Sequence, residues 1–181
     1  MIDCKLLLAG LGGQGVVFLS RLISQAALLN GDSFITYESH GMAMRGGSVT
    51  SQVKIGNYRS PLIGRGQADL LLVLAAPEYL RNRHLLQENG QALINSPLAA
   101  RLLPARDCCA ATEIAVKNGL PQAANLVFAG WLAEHPAFPY DFTLLCETVR
   151  SLASPPPLEA ANLKALDLGR RSGAKSTPPG R

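Results

Sequence analysis

The four cysteines of this 181-residue chain, Cys4, Cys108, Cys109 and Cys146, form no C-x-x-C pair, and no histidine stands at a ligand-like spacing from them. That absence removes the sequence signatures of an iron–sulfur cluster and of a structural zinc site, and no metal ligands are assigned. Adjacent Cys108 and Cys109 are poor disulfide partners for each other, so buried free thiols in a reducing compartment are the simplest reading. No apolar run approaches the roughly 20 residues of a membrane span. The opening Met1-Ile2-Asp3-Cys4-Lys5 shows no leader pattern. A cytoplasmic protein without membrane contact is expected. Charge is scarce as well, at 17% against 48% hydrophobic residues. A lightly charged surface of this kind is easier to understand where a partner covers part of it.

The excess of positive charge sits at one end. The net charge of +4 is matched by residues 164–181 alone, where Lys164, Arg170, Arg171, Lys175 and Arg181 face a single Asp167. The preceding body is neutral. A nucleic-acid binder concentrates basic residues on a folded face, with a motif to match. Here the excess lies on a segment carrying Pro, Gly and Ser, so no nucleic-acid partner is expected. The organisation that follows is one domain over 1–169 and a flexible basic tail over 170–181.

The pattern along the chain is that of an α/β protein. Lys5–Gly10 is a short apolar run ending in glycine, as a buried parallel strand does. Val16, Leu19, Leu22, Ile23, Ala26 and Leu29 then recur at helical spacing, with Gly31 placed to end the helix. Phe34–Tyr37 supplies the next strand of a β-α-β unit, and a polar loop runs from Glu38 to Gly47. Ser48–Ile55 alternates, with Val49, Val53 and Ile55 on one parity, which suggests an antiparallel strand with one open face. Asp69–Leu74 returns to a buried strand, Pro77 opens a helix and Gly90 is placed to stop it. Ala92–Asn95 reads as one more short strand. The second half reads as helices over Ala111–Lys117, Ala123–Glu134 and Phe142–Leu152. A short helix over Leu158–Leu168 follows the Pro155-Pro156-Pro157 break, and order fades after Gly169. Within the second of these helices Leu126, Ala129, Gly130 and Ala133 form a small-residue face suited to close packing. The fold class expected is a Rossmann-like three-layer sandwich, a mostly parallel sheet with helices on both faces.

Two glycine-rich segments carry the functional signal. Gly10-Leu11-Gly12-Gly13-Gln14-Gly15 satisfies G-x-G-x-x-G directly after a strand and at the start of a helix. Such a turn lets backbone approach a ligand, and the helix start behind it favours an anion. Glu38 lies 23 residues past Gly15, roughly where an acid that binds a ribose would stand (about 20 residues on). This supports a small stand-alone NAD(P)- or flavin-binding oxidoreductase as one reading. A turn whose glycines serve only its own geometry is another. The second segment is His40-Gly41-Met42-Ala43-Met44-Arg45-Gly46-Gly47-Ser48. Arg45 offers a planar fork of donors to a phosphate or carboxylate, and the glycines let backbone come close.

Together these segments resemble a known family. Gly-x-Gly-Gly-Gln-Gly after the first strand, then Arg-Gly-Gly-Ser, then Ala-Asp-Leu-Leu-Leu at 68–72, is similar to the gamma-type subunit of 2-oxoacid:ferredoxin oxidoreductases, including those of pyruvate and ketoisovalerate. The strongest likeness is to the small, beta-named subunit of the indolepyruvate branch. Asn125-Leu126-Val127 and Asn162-Leu163-Lys164-Ala165, followed by Leu168-Gly169, extend it over about residues 4–170. The resemblance implies a heteromeric enzyme that decarboxylates a 2-oxoacid on thiamine diphosphate, transfers the acyl group to coenzyme A and passes electrons through iron–sulfur clusters to ferredoxin. Thiamine diphosphate and the clusters would be held by a large partner subunit. This chain would complete the active site without being active alone, and a homodimer of the isolated chain stays open. Gly10, Gly12, Gly13, Gln14 and Gly15 match the family's first loop, and Arg45, Gly46, Gly47 and Ser48 its second. They are assigned to ligand positioning at the carboxyl edge of the sheet, and no catalytic residue is assigned. Met44 stands where relatives often carry Gln or Glu, a departure that leaves another aryl or branched 2-oxoacid as open as indolepyruvate for the substrate. Of the remaining residues, His40 neighbours the second loop, Arg81 and Arg83 read as a solvated helix face, His135 as a helix-end cation, and Trp131 as a core or interface anchor.

Overall fold

The computed structural model describes residues 2–40, 46–101, 103, 107–152 and 155–173. They fall into two compact units, Met1–Ile94 and Asn95–Arg181, where the sequence reading places one domain over 1–169. Among the described residues no helix is long and apolar enough to cross a membrane.

The first unit is built on β1 (Cys4–Leu11) and β4 (Ala68–Val73), which pair in parallel with Leu6 to Ala9 opposite Leu70 to Val73. Both strands are near-continuous apolar runs because both of their faces are covered; Leu6, Leu7, Leu8, Leu71 and Leu72 have no exposed surface. Helix α1 (Val16–Leu29) buries Leu19, Leu22, Ile23, Ala26 and Ala27. Leu29, which the spacing assigns to the same face, is 46% exposed because the stripe rotates out of the core at the last turn. Gly31 ends the helix in the left-handed region at φ 79°.

After α1 comes β2 (Phe34–His40), three residues longer than the Phe34–Tyr37 strand expected. It does not pair with β1. The antiparallel strand β3 (Ser48–Ile55) lies between them, giving the order β2-β3-β1-β4 and then β5 (Leu86–Asn95). The unit β1-α1-β2 therefore has the expected direction but with a strand inserted. The alternation of β3 was read correctly as antiparallel, but its even-numbered face is not open. Lys54 is only 6% exposed, with its ammonium 5.2 Å from the Tyr58 ring, and Gln52 Oε1 accepts the Ile63 N–H at 2.5 Å. The connection after β3 folds back over that face.

Pro77 opens α2 (Pro77–Asn82) as expected. Gly90, however, does not stop it. The helix ends at Asn82, one 3-10 turn covers Arg83–Leu85, and Gly90 lies inside β5. The pairing of β4 with β5 shifts register between Ala68 and Leu70. A Cβ on Gly90 would stand 2.8 Å from the Ala68 carbonyl oxygen and 2.7 Å from Leu86 Cδ1. The glycine marks a close approach at a strand irregularity, and such a site carries the same sequence signal as a helix end.

The second unit contains a two-residue strand, β6 (Cys108–Cys109), and helices α3 (Ala111–Lys117), α4 (Ala124–Leu132), α5 (Phe142–Ser151) and α6 (Pro156–Gly173). Asn118 and Gly119 close α3, which has the bounds expected. Asp141 caps α5, its Oδ1 accepting the Leu144 N–H at 2.8 Å. Helix α6 differs most from expectation. It begins inside the proline run, since prolines in a first turn lack only N–H groups that have no helical partner, and it continues to Gly173 instead of ending at Leu168. In its last turns Asp167 pairs with Arg170 at 3.0 Å and Arg171 at 2.6 Å. Residues 174–181, the rest of the expected tail, lie outside the described residues.

Candidate functional site

The site is assembled where β1 ends and β3 begins. Because the two strands are antiparallel, Leu11 pairs with Ser48, and the residues just beyond them, Gly12 and Gly47, face each other. The Gly12 N–H donates to the Gly47 carbonyl oxygen at 2.9 Å. A Cβ at Gly12 would lie 3.4 Å from the Gly46 nitrogen, so the backbones touch there without a side chain between them. The two glycine segments singled out in the sequence are thus clasped together at the carboxyl end of β1 and β4, the edge at which α/β proteins bind ligands.

Within the first turn, Gln14 serves the turn itself. Its side-chain Oε1 accepts the Leu11 N–H at 2.8 Å, and its own N–H donates to the Leu11 carbonyl at 3.1 Å. Gly10 permits the turn to pack: a Cβ there would stand 2.8 Å from Val16 Cγ2 and 3.1 Å from Leu74 Cβ. Gly15, at φ 80°, is the N-cap of α1, and neither a capping side chain nor a first-turn acid follows it. That helix start presents backbone donors and the positive end of the dipole with no carboxylate of its own nearby, an arrangement suited to a phosphate or carboxylate.

The second segment is anchored from below. Ser48 Oγ donates to Glu78 Oε2 at 2.7 Å. Glu78, on α2, is completely buried, and its Oε1 receives Arg81 Nη1 at 2.7 Å. Asn82 Nδ2 reaches both the Glu78 carbonyl at 2.9 Å and Oε2 at 3.3 Å. Sequence reasoning missed Glu78, because an acid after Pro77 reads as an ordinary first-turn residue facing solvent. Arg81 is indeed 64% exposed along its side chain, but its guanidinium is committed to Glu78.

Structure thus gathers Gly10, Gly12, Gly13, Gln14, Gly15, Gly46, Gly47 and Ser48 at one edge. Arg45, with Met42 and Met44, lies outside the described residues. Glu38 is placed elsewhere. It lines an open cleft of about 280 Å³ between α1 and β2, with Arg21, Gln25 and Thr36. Because β3 stands between β2 and β1, Glu38 is two strand spacings, about 10 Å, from the line of the glycine turn. A ribose-binding acid needs β2 beside β1, so the dinucleotide arrangement is not reproduced. His135 and Trp131 belong to the second unit. His135 is buried, its Nε2 3.4 Å from Asp107 Oδ1 and its Nδ1 accepting the Ala137 N–H at 3.3 Å. Trp131 is 3% exposed and stacks on Phe128 at 5.5 Å, a core position.

A sequence profile for the pyruvate ferredoxin/flavodoxin oxidoreductase family matches residues 5–172. The chain belongs to that family. Subunit IorB of indolepyruvate oxidoreductase from Archaeoglobus fulgidus is 31% identical over 200 residues, covering 96% of this chain and 97% of the relative. The gamma subunit of a keto/oxoacid ferredoxin oxidoreductase from Geobacter sulfurreducens superimposes with a TM-score of 0.75 at 24% identity, covering 95% of this chain and 99% of that one. The 2-oxoglutarate:ferredoxin oxidoreductase from Magnetococcus marinus, solved with 2-oxoglutarate, coenzyme A and succinyl-CoA bound, gives a TM-score of 0.75 at 18% identity. All of this chain aligns, to 33% of that larger one.

Members of the pyruvate ferredoxin/flavodoxin oxidoreductase family are subunits of oxidoreductases that use thiamine diphosphate, iron–sulfur clusters and coenzyme A. The cysteines of this chain do not fit a cluster. Burial pushes the Cys4 and Cys109 thiols up to about 12, and burial raises Cys108 and Cys146 as well. Among the described residues no three His, Cys, Asp or Glu side chains come together as a metal site.

Proposed function

We propose that this chain is the small subunit that completes the active site of a cytoplasmic 2-oxoacid:ferredoxin oxidoreductase. The reaction is the oxidative decarboxylation of an aryl or branched 2-oxoacid, such as indolepyruvate, to its acyl-CoA. The observation that carries the reading is the correspondence with IorB, which spans nearly the full length of both chains. A large partner subunit holds thiamine diphosphate and the iron–sulfur clusters and delivers electrons to ferredoxin. This chain contributes the edge at which the turn Gly10–Gly15 meets Gly46–Ser48, and it positions there an anionic group, carboxylate or phosphate, of the 2-oxoacid or coenzyme A; Arg45, next in the sequence, supplies the guanidinium for that group. Its residues bind and orient; none makes or breaks a bond.

Co-expression with the large subunit tests this directly. The purified complex is assayed for coenzyme A-dependent dye reduction by indolepyruvate, a branched 2-oxoacid and pyruvate. Activity that needs both chains and favours the aryl or branched acid is the expected result. A chain that purifies alone, in whatever oligomeric state, and binds NAD(H) or FAD instead would replace this reading.

A further inference from the structure

Glu78 is the only charged side chain among the described residues with no exposed surface. A carboxylate taken out of water is costly, and a buried ion pair is weak evidence of a gain in stability. Its value must be sought in what it holds. The two oxygens divide the work: Oε1 takes the Arg81 guanidinium, and Oε2 takes the Ser48 hydroxyl and the Asn82 amide. Only a carboxylate accepts on both oxygens. A glutamine of the same length would turn an N–H either toward Arg81, which only donates, or toward the side shared by Ser48 and Asn82, where the hydroxyl can rotate to accept but the Asn82 Nδ2 cannot.

Ser48 is followed by β3 and preceded by Gly47, whose carbonyl oxygen takes the Gly12 N–H. The chain of bonds Glu78–Ser48–Gly47–Gly12 therefore ties α2 to the first glycine turn through a single hydroxyl. Backbone at Gly46 and Gly47 has no side chain of its own to fix it. The bond from Glu78 does so from the helix that follows β4.

We propose that Glu78 is a positioning residue that sets the height of the Gly46-Gly47-Ser48 segment against the Gly12 turn, and so the edge that receives the anionic substrates. This rests on the function proposed above for that edge. Glu78 acts through Ser48 and touches no substrate.

Two measurements separate the latch from the function. In the full chain, hydrogen exchange at the Gly12 amide reads the clasp regardless of activity. Ser48→Ala and Glu78→Gln should each speed that exchange by about tenfold, and Ser48→Thr, which keeps the hydroxyl, should restore it. Unchanged exchange in Ser48→Ala overturns the proposal even if Glu78→Gln fails to fold. In the assembled complex the same variants should raise the KM of coenzyme A or of the 2-oxoacid about tenfold while kcat stays within about twofold. The double variant should cost no more than either single one. Equal losses in kcat with KM unchanged, or additive effects, would show two separate structural contributions and overturn the positioning role. A wild-type complex without 2-oxoacid activity would instead remove the proposed function and leave the exchange result standing.

Discussion

The two units use glycine in opposite ways. In Met1–Ile94 three glycines of the two clasped segments bend the chain: Gly13, Gly15 and Gly46 have φ of 93°, 80° and 73°, and a Cβ on Gly13 or Gly46 would meet nothing within 4 Å. In Asn95–Arg181 the important glycines lie in helices and bring backbones together. A Cβ on Gly130 would stand 1.9 Å from the Leu166 carbonyl oxygen, and one on Gly169 would stand 1.9 Å from that of Val127, so α4 and α6 meet main chain to main chain. A substitution at Gly13 or Gly46 therefore meets conformational strain in open space, whereas one at Gly130 or Gly169 meets a wall. The former is a modest, local cost; the latter displaces a helix.

The contrast can be broken most easily in the second unit. Gly130→Ala and Gly169→Ala should each cost about 3 kcal/mol or more, because backbone cannot yield as a flexible side chain does. Chemical denaturation measures this, and wild-type midpoints would mean that the helices are not so close. Gly10→Ala is the intermediate case. Its new methyl meets Val16, Gln14 and Leu74, two of them at side-chain tips, so a loss of about 2 kcal/mol is expected by the same measurement. Gly13→Ala should cost only about 1 kcal/mol, through strain at positive φ. A larger loss there would show the turn to be packed, not open. Removing the α5 cap with Asp141→Ala should also cost about 1 kcal/mol, a helix-end effect that leaves the α4–α6 contact intact.

The smallest effect, zero at neutral pH, is shared by both units. Cys4 in the first and Cys109 in the second have thiols raised from 9.0 to about 12, chiefly by burial. The unfolded thiol ionises first, so stability is unaffected below about pH 9 and falls as pH rises from 9 toward 12. Replacing either cysteine by alanine should shrink that alkaline loss, read as the change in denaturation midpoint between neutral and alkaline buffer. An unchanged alkaline loss would place its origin elsewhere.

The apolar runs Lys5–Gly10 and Asp69–Leu74 were legible as buried strands because covering both faces forces every residue to be apolar. The helices α1 and α3 were legible from spacing and from Gly31 and Gly119 at their ends. Gly90 was misread because a helix stop and a strand irregularity ask the same thing of a residue, namely freedom from Cβ. The end of α6 was misread because Gly169 looks like a helix stop, whereas it is a buried helical position where a Cβ would stand 1.9 Å from the Val127 carbonyl oxygen. At the site, the glycine turn and the Gly46-Gly47-Ser48 segment stood out in sequence. Their partner Glu78 did not, since burial of a single acid leaves no periodic trace.

By itself the sequence determined the α/β class, the family and the two glycine segments, all of which depend on residues close together along the chain. Tertiary structure decided the insertion of β3 between β1 and β2, which takes Glu38 away from the turn, and the pairing of Gly12 with Gly47. It also decided the burial of Glu78 beneath Ser48. Those outcomes depend on which strand lies beside which, and hydrogen-bonding register across a sheet is a property of partners far apart in the chain.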